Sequence, residues 1–146
     1  MKNINFTSRT KARKRAVDIL FEADQKDMCD STASILSLLS QRKVISPASS
    51  PLPMFAEQIV VGVAENIHKI DDTIATYLVN HEFERIASVD RAILRVAVWE
   101  ILFEDELDDI IAIDEAIVIA KAISTENSPD FLNGILDTIS KSEKIL

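Results

Sequence analysis

The apolar positions of the chain fall mostly at helical spacing, and the longest such run sets the frame for the rest. From Val89 to Phe103 eleven of fifteen residues are apolar, with only Asp90, Arg91, Arg95 and Glu100 polar. Ile93, Leu94, Val96, Ala97, Val98 and Trp99 nearly run together, so alternation by two fails, and neither glycine nor proline interrupts them. The run predicts a helix with neighbours on most sides. Ser88 is its expected N-cap, and Asp90 falls in the first turn, where a negative charge is favoured. Arg91 and Arg95 lie one turn apart and share a face. Trp99 is expected in the core, with a half-exposed anchor for a partner as the alternative.

The same reading, carried along the chain, yields about seven helices. Thr7 or Ser8 caps a helix to about Gln25, with Ala12, Ala16, Ile19, Leu20 and Ala23 as its apolar stripe, after a loose segment 1–8. Asp30 or Ser31 opens a short helix to about Ser40. Residues 42–53, with three prolines and three serines, read as the main loop. Pro53 suits a first helical position, and a helix from Met54 to about His68 follows, with Phe55, Ile59, Gly62 and Val63 inward. Glycine costs roughly 1 kcal/mol against alanine inside a helix, so Gly62 marks close backbone packing. Asp71–Val79 is the next helix, with Ile74, Ala75 and Leu78 inward, and a short piece surrounds Phe83 and Ile86. Ile110–Ile113 lead into a helix Asp114–Ile123. Ser128-Pro129-Asp130 then gives a start signal of cap, proline and acid for a last helix to about Lys141.

The expected fold is therefore all-α, one domain over residues 1–146 made of two packed helical sub-bundles. Two glycines and four prolines in 146 residues are too few for a turn-rich β fold. The single cysteine, Cys29, excludes an internal disulfide and fits a reducing, cytoplasmic setting. No run reaches the roughly 18 apolar residues of a membrane span, and the amino end has no signal-peptide core.

Charge changes the picture more than composition does. Residues 1–15 hold Lys2, Arg9, Lys11, Arg13, Lys14 and Arg15 and no acid, whereas residues 16–146 hold 24 acids and ten bases, a net −14. The overall −8 hides a local +6. Cations in the opening turn of a helix oppose its dipole, so this cluster is unfavourable for the chain alone and favourable beside a polyanion. A solvated terminus that neutralises the acidic body is the plainer alternative.

Catalytic and metal chemistry find little support. His68 and His81 have no second ligand at metal-site spacing. Cys29, beside Met28 and without a nearby histidine, reads as an inert thiol. The run Glu104–Asp109 lacks the alternation and glycine of a calcium loop, and is expected to be a solvated helix end or a contact for a basic partner. The two glycines, 72 residues apart, make no phosphate loop. No cofactor, metal or catalytic residue is expected.

Three blocks resemble the transcription antitermination factor NusB family: KARKRAVDILFEADQ (11–25), VDRAILRVAVWEILF (89–103) and AIDEAIVIAKAISTENSPDFLNGILDTI (112–139), with QIVVGVAENI (58–67) similar to its mid-chain helix. The resemblance implies two small helical bundles and binding of boxA-type single-stranded RNA in ribosomal transcripts. That binding would be joint with the ribosomal protein NusE, in an RNA polymerase antitermination complex with other Nus factors. Some members form homodimers. Arg9 extends the basic segment; the family's arginine-rich helix start matches Lys11, Arg13, Lys14 and Arg15, and its RNA-proximal aromatic matches Phe131. Its ribosomal-protein contacts match Phe21, Glu84 and Asp90. Asp114 stands where many relatives have asparagine, and Asn127-Ser128 where many have an acid-serine pair. The family fold also serves as the amino-terminal part of an rRNA cytosine methyltransferase, whose cofactor domain is not expected here. A non-catalytic protein-interaction scaffold without RNA binding is the competing function.

Overall fold

A helix as apolar as 88–103 is stable in water only when other elements cover it, and the fold is arranged around that requirement. The computed structural model describes residues 6–44, 50–79 and 82–143. Among these, seven α-helices follow in order: α1 Ser8–Gln25, α2 Thr32–Lys43, α3 Met54–Glu65, α4 Ile67–Tyr77, α5 Ser88–Phe103, α6 Asp109–Ile123 and α7 Ser128–Glu143. A 3-10 turn, Phe83–Arg85, precedes α5. The helix α5 packs against α1 and α3 on one side and against α4, α6 and α7 on the other, so two sub-bundles share it. Ala92, Ile93, Leu94, Val96, Ala97, Val98 and Ile101 are all buried along it, in one continuous apolar core.

Local chemistry explains most boundaries. Thr7 caps α1, its hydroxyl accepting from the Thr10 N–H at 3.1 Å, and Ser31 caps α2 by accepting from Ser34 N–H at 3.2 Å. Arg42 and Lys43 close α2, where cations complement the carbonyl end.

Several expected boundaries shift. α2 runs to Lys43 rather than Ser40, and Pro53 is the residue before α3 rather than its first turn. The break expected near residue 70 lies at Asn66, whose side-chain amide donates to the Gly62 carbonyl at 2.8 Å and takes over a carbonyl that the helix end leaves free. The helix α4 consequently starts at Ile67 and buries Ile67, Ile70, Thr73 and Ile74, while Ala75 is exposed. Ala87, not Ser88, is the cap of α5. α6 starts at Asp109, so Ile110–Ile113 are its first turns. The segment 1–5 and the middle of the Ser-Pro loop, 45–49, lie outside the described residues, as does His81.

Gly62 and Trp99 show why a glycine stands inside α3. A methyl group built at Gly62 would lie 2.2–2.3 Å from the Trp99 indole atoms Cε2, Cζ2 and Nε1. The indole thus lies flat on the α3 backbone, half-buried rather than in the centre of the core as its sequence position suggests. Gly62→Ala is expected to evict the indole and lower stability by about 1–3 kcal/mol, despite a propensity gain of roughly 1 kcal/mol. In a Trp99→Ala background the same substitution should become stabilising, because only the propensity gain remains. Thermal melts of the four proteins check the sign reversal; a Gly62→Ala effect that is the same in both backgrounds contradicts the packing.

Arg91 and Arg95, which share a face of α5, meet carboxylates from two other helices. Arg91 donates to both oxygens of Asp24 at 2.7 and 2.6 Å, and Arg95 to Asp24 at 2.8 Å and to both oxygens of Asp71 at 2.9 Å. Burial acts to raise the Asp24 pKa, but the hydrogen bonds and charges of Arg91 and Arg95 outweigh it and hold the carboxyl below its ordinary value. Asp71 lies the other way, raised because burial outweighs the pairing with Arg95. A carboxyl with a depressed folded-state pKa stabilises above its unfolded value and loses that contribution as pH falls through the folded one. Asp24→Ala should therefore cost about 3 kcal/mol at neutral pH. Urea melts in acid should bring parent and variant together as pH drops below the ordinary aspartate range; a gap that stays constant with pH would mean the charge of Asp24 is not its contribution.

Candidate functional site

The basic end of the chain is helical from Ser8, so its cations are distributed by the 100° step of α1. Lys11, Lys14, Arg15 and Asp18 recur at i, i+3, i+4 and i+7 and form one outward stripe. Lys11 is exposed and has no ion pair among the described residues. Lys14 pairs with Asp18 at 3.0 Å on the surface, and Arg15 reaches Ser50 Oγ at 3.3 Å and the Ser50 and Pro51 carbonyls at 3.4 Å. Such exposed contacts hold little energy, so these side chains can exchange them for an anion. Arg9 is exposed and lies over the Phe55 ring, its guanidinium carbon 4.2 Å from the centroid.

Arg13 departs from the sequence expectation. It is only 4% exposed and donates to Glu100 three times, through Nε at 3.0 and 3.1 Å and Nη2 at 2.9 Å. Its Nη1 lies 3.6 Å from Glu115, which also accepts from the Thr10 hydroxyl at 2.8 Å. Burial raises the Glu100 pKa, with the Arg13 hydrogen bonds and charge opposing it. A bidentate guanidinium–carboxylate pair out of water is a structural contact, and its geometry leaves Arg13 no free face for a phosphate. The signal was present in the sequence: Glu100 is the lone acid in the second half of an apolar helix, and a buried acid requires a cation. Which cation it is depends on how α1 crosses α5.

Phe131 is half-buried near the start of α7. It lines a surface hollow of about 230 Å³ with Arg85, Ile86, Asn127 and Ser128. This hollow belongs to the amino end of α5, because Ser128 Oγ donates to Asp90 at 2.9 Å, whereas Arg13 meets α5 at Glu100. Ten residues of helix separate those two points, about 15 Å of rise. The basic stripe and Phe131 are therefore not one compact pocket; a ligand touching both has to be extended.

The expected protein contacts also separate. Glu84 is exposed and, with Phe83, borders an acidic hollow of about 490 Å³ that includes Asp27, Asp30 and Asp71. Phe21 is half-buried on α1. Asp90 is not a rim residue. It is 6% exposed and accepts from Ser124 Oγ at 2.6 Å and Ser128 Oγ at 2.9 Å, fastening the start of α5 to the end of α6 and the start of α7. The Ser128 hydroxyl accordingly serves Asp90 rather than simply capping α7. Cys29 is buried, and burial pushes its thiol up to about 11, which fits an inert thiol. His68 is exposed, and no group of acids, histidines and cysteine among the described residues is arranged for a metal. No helix among them is long and apolar enough to cross a membrane.

The model of the NusB family matches residues 10–141. The chain belongs to the NusB family. A transcription antitermination protein NusB of Beutenbergia cavernae is 40% identical over 142 residues, covering 95% of this chain and 93% of the relative. Among solved structures, NusB of T. maritima superposes with a TM-score of 0.73 at 33% identity, over 94% of each chain. The same fold recurs at 21% identity and a TM-score of 0.71 in a structure of the antitermination factors NusB and NusE in complex with double-stranded RNA, over 92% of this chain and 96% of that one. Family membership agrees with the two-bundle architecture; the division of the basic cluster into an outward stripe and an inward arginine comes from this chain's own packing.

Arg13→Ala should leave Glu100 buried without a partner and lower stability by about 3–5 kcal/mol. Lys11→Ala and Lys14→Ala should change it by less than about 0.5 kcal/mol. Chemical denaturation of the three variants separates a structural from a surface role, and an Arg13→Ala protein as stable as the parent contradicts the assignment.

Proposed function

We propose that the protein is a transcription antitermination factor that binds boxA-type single-stranded RNA of ribosomal transcripts, jointly with NusE, as part of an RNA polymerase complex in the cytoplasm. The observation that carries this reading is the outward stripe of Lys11, Lys14 and Arg15, flanked by Arg9, on a chain whose residues 16–146 are net −14. Membership of the family and the occurrence of this fold with NusE and RNA in a structural relative support it.

The mechanism is recognition without catalysis. Arg9, Lys11, Lys14 and Arg15 attract phosphates, displacing weak surface contacts. Arg13 acts indirectly: with Thr10 it fixes the start of α1 against Glu100 and Glu115, so the stripe keeps its direction. An extended strand then runs from the stripe toward the hollow at Phe131, where the ring offers a face to an unpaired base and Arg85 and Asn127 offer hydrogen bonds. NusE docks on the acidic side at Phe21 and Glu84, where opposite charge speeds encounter and the aromatic adds affinity. Asp90 instead holds the Phe131 hollow together from within, through Ser124 and Ser128.

A salt series of binding to a boxA-like single strand, a scrambled strand and a duplex, with and without NusE, tests the reading. Four phosphate contacts on a single strand give a log–log slope near −3. Replacing Lys11, Lys14 and Arg15 by alanine should flatten that slope for both strands. Phe131→Ala should cost roughly 1–3 kcal/mol with the slope unchanged. Equal binding of boxA-like and scrambled strands in the presence of NusE, or a triple variant that binds like the parent, replaces this function with that of a protein scaffold.

A further inference from the structure

The outer face of α6 carries apolar side chains with nothing on them. Ile110 is 72% exposed, Ile111 46% and Val118 37%. At 100° per residue, positions 110, 111, 114 and 118 fall on one side of the helix, opposite the buried Ala112, Ala116 and Ile119. Single exposed apolar residues are ordinary, but three on one helical face form a strip about 12 Å long and one helix wide.

Its surroundings are acidic along the amino end of α6, and the one cation of the helix, Lys121, stands on this side in the last turn beyond Val118. Glu104, Asp105, Glu106 and Asp108, in the link before α6, are exposed, as is Asp114 within the strip, and none of them makes an ion pair among the described residues. Elsewhere carboxylates serve the fold, as Asp24, Asp71 and Glu100 do by pairing with arginine. The helix dipole accounts for acids at the very start of α6, not for those at 104–106.

We propose that this strip is a docking surface for a basic amphipathic helix of another protein, whose apolar stripe seats on Ile110, Ile111 and Val118 while its flanking lysines or arginines face the carboxylates. Charge complementarity selects this occupant. A nucleic acid has the wrong sign, and a symmetric pair of copies would bring two identical acidic rims together. The strip is distinct from the Phe21–Glu84 side. Glu84 precedes the first residue of α5 and α6 follows its last, and α5 has 16 residues, about 24 Å of helix. Both surfaces can be occupied at once.

The test titrates the full-length, isotope-labelled protein with a synthetic lysine-flanked peptide carrying leucines at helical spacing, followed by amide chemical shifts. Two controls are a peptide of the same composition in scrambled order and one with glutamate for each lysine. Shifts centred on residues 104–118, seen with the patterned basic peptide alone, are expected. Ile110→Ser/Ile111→Ser/Val118→Ser should weaken binding about tenfold. Asp105→Lys/Asp108→Lys should weaken it several-fold with the apolar strip intact, and circular dichroism melts should match the parent for both. Shifts centred on Phe21 and Glu84, equal binding of the scrambled peptide, or unchanged affinity in the triple variant overturns the proposal. A parent that sediments as a dimer dispersed by the triple variant also overturns it, by making a second copy the occupant.

Discussion

A helix enclosed on every side cannot leave a charged group unpaired, and this constraint on α5 organises the molecule. Its charged residues are answered from other helices: Arg91 and Arg95 draw in Asp24 of α1, Arg95 also takes Asp71 of α4, and Glu100 takes Arg13 of α1. Asp90 draws the end of α6 and the start of α7 together through two serine hydroxyls. Among the described residues no buried side-chain nitrogen or oxygen lacks a hydrogen-bond partner. Apolar burial supplies the driving force for collapse but has no direction. The ionic contacts penalise wrong registers, because any slip of α1 along α5 strands a charge out of water.

The same contacts determine what the surface presents. With Arg13 and Thr10 turned toward Glu100 and Glu115, the helical step places Lys11, Lys14 and Arg15 outward. The cost of gathering cations at a helix start is thereby divided: one arginine neutralises a buried acid, and the rest stay free for a polyanion. The acids divide likewise. Asp24, Asp71, Asp90 and Glu100 are consumed by the fold, while Glu84 and the 104–108 link remain at the surface. Counting residues by type therefore overstates both the basic and the acidic surface. The net charge of −8 describes neither.

Periodicity and end signals sufficed for the helices because those are local properties. The apolar run of α5, the cap at Thr7, the Ser31 start and the Ser128-Pro129-Asp130 start act within a turn or two of the residues that carry them. Gly62 was legible as a close approach for the same reason: glycine in a helix interior is expensive unless something lies on it. The family blocks at 11–25, 89–103 and 112–139 were legible as ordered strings, independent of where the side chains point.

Only the tertiary structure decided which of those residues are free. Arg13 and Lys14 are neighbours of the same charge, yet one is buried and one is not, because 100° of rotation separates them and α5 lies on one side only. Asp90 and Glu84 read alike as acids near a contact, but two serines from α6 and α7 enclose the first and solvent bathes the second. Trp99 is half-buried on Gly62 because α3 crosses α5 there, a contact between positions 37 residues apart. Sequence determined the helices, their order and the family. Availability for binding depends on which neighbour arrives across tens of residues, and no local pattern contains that.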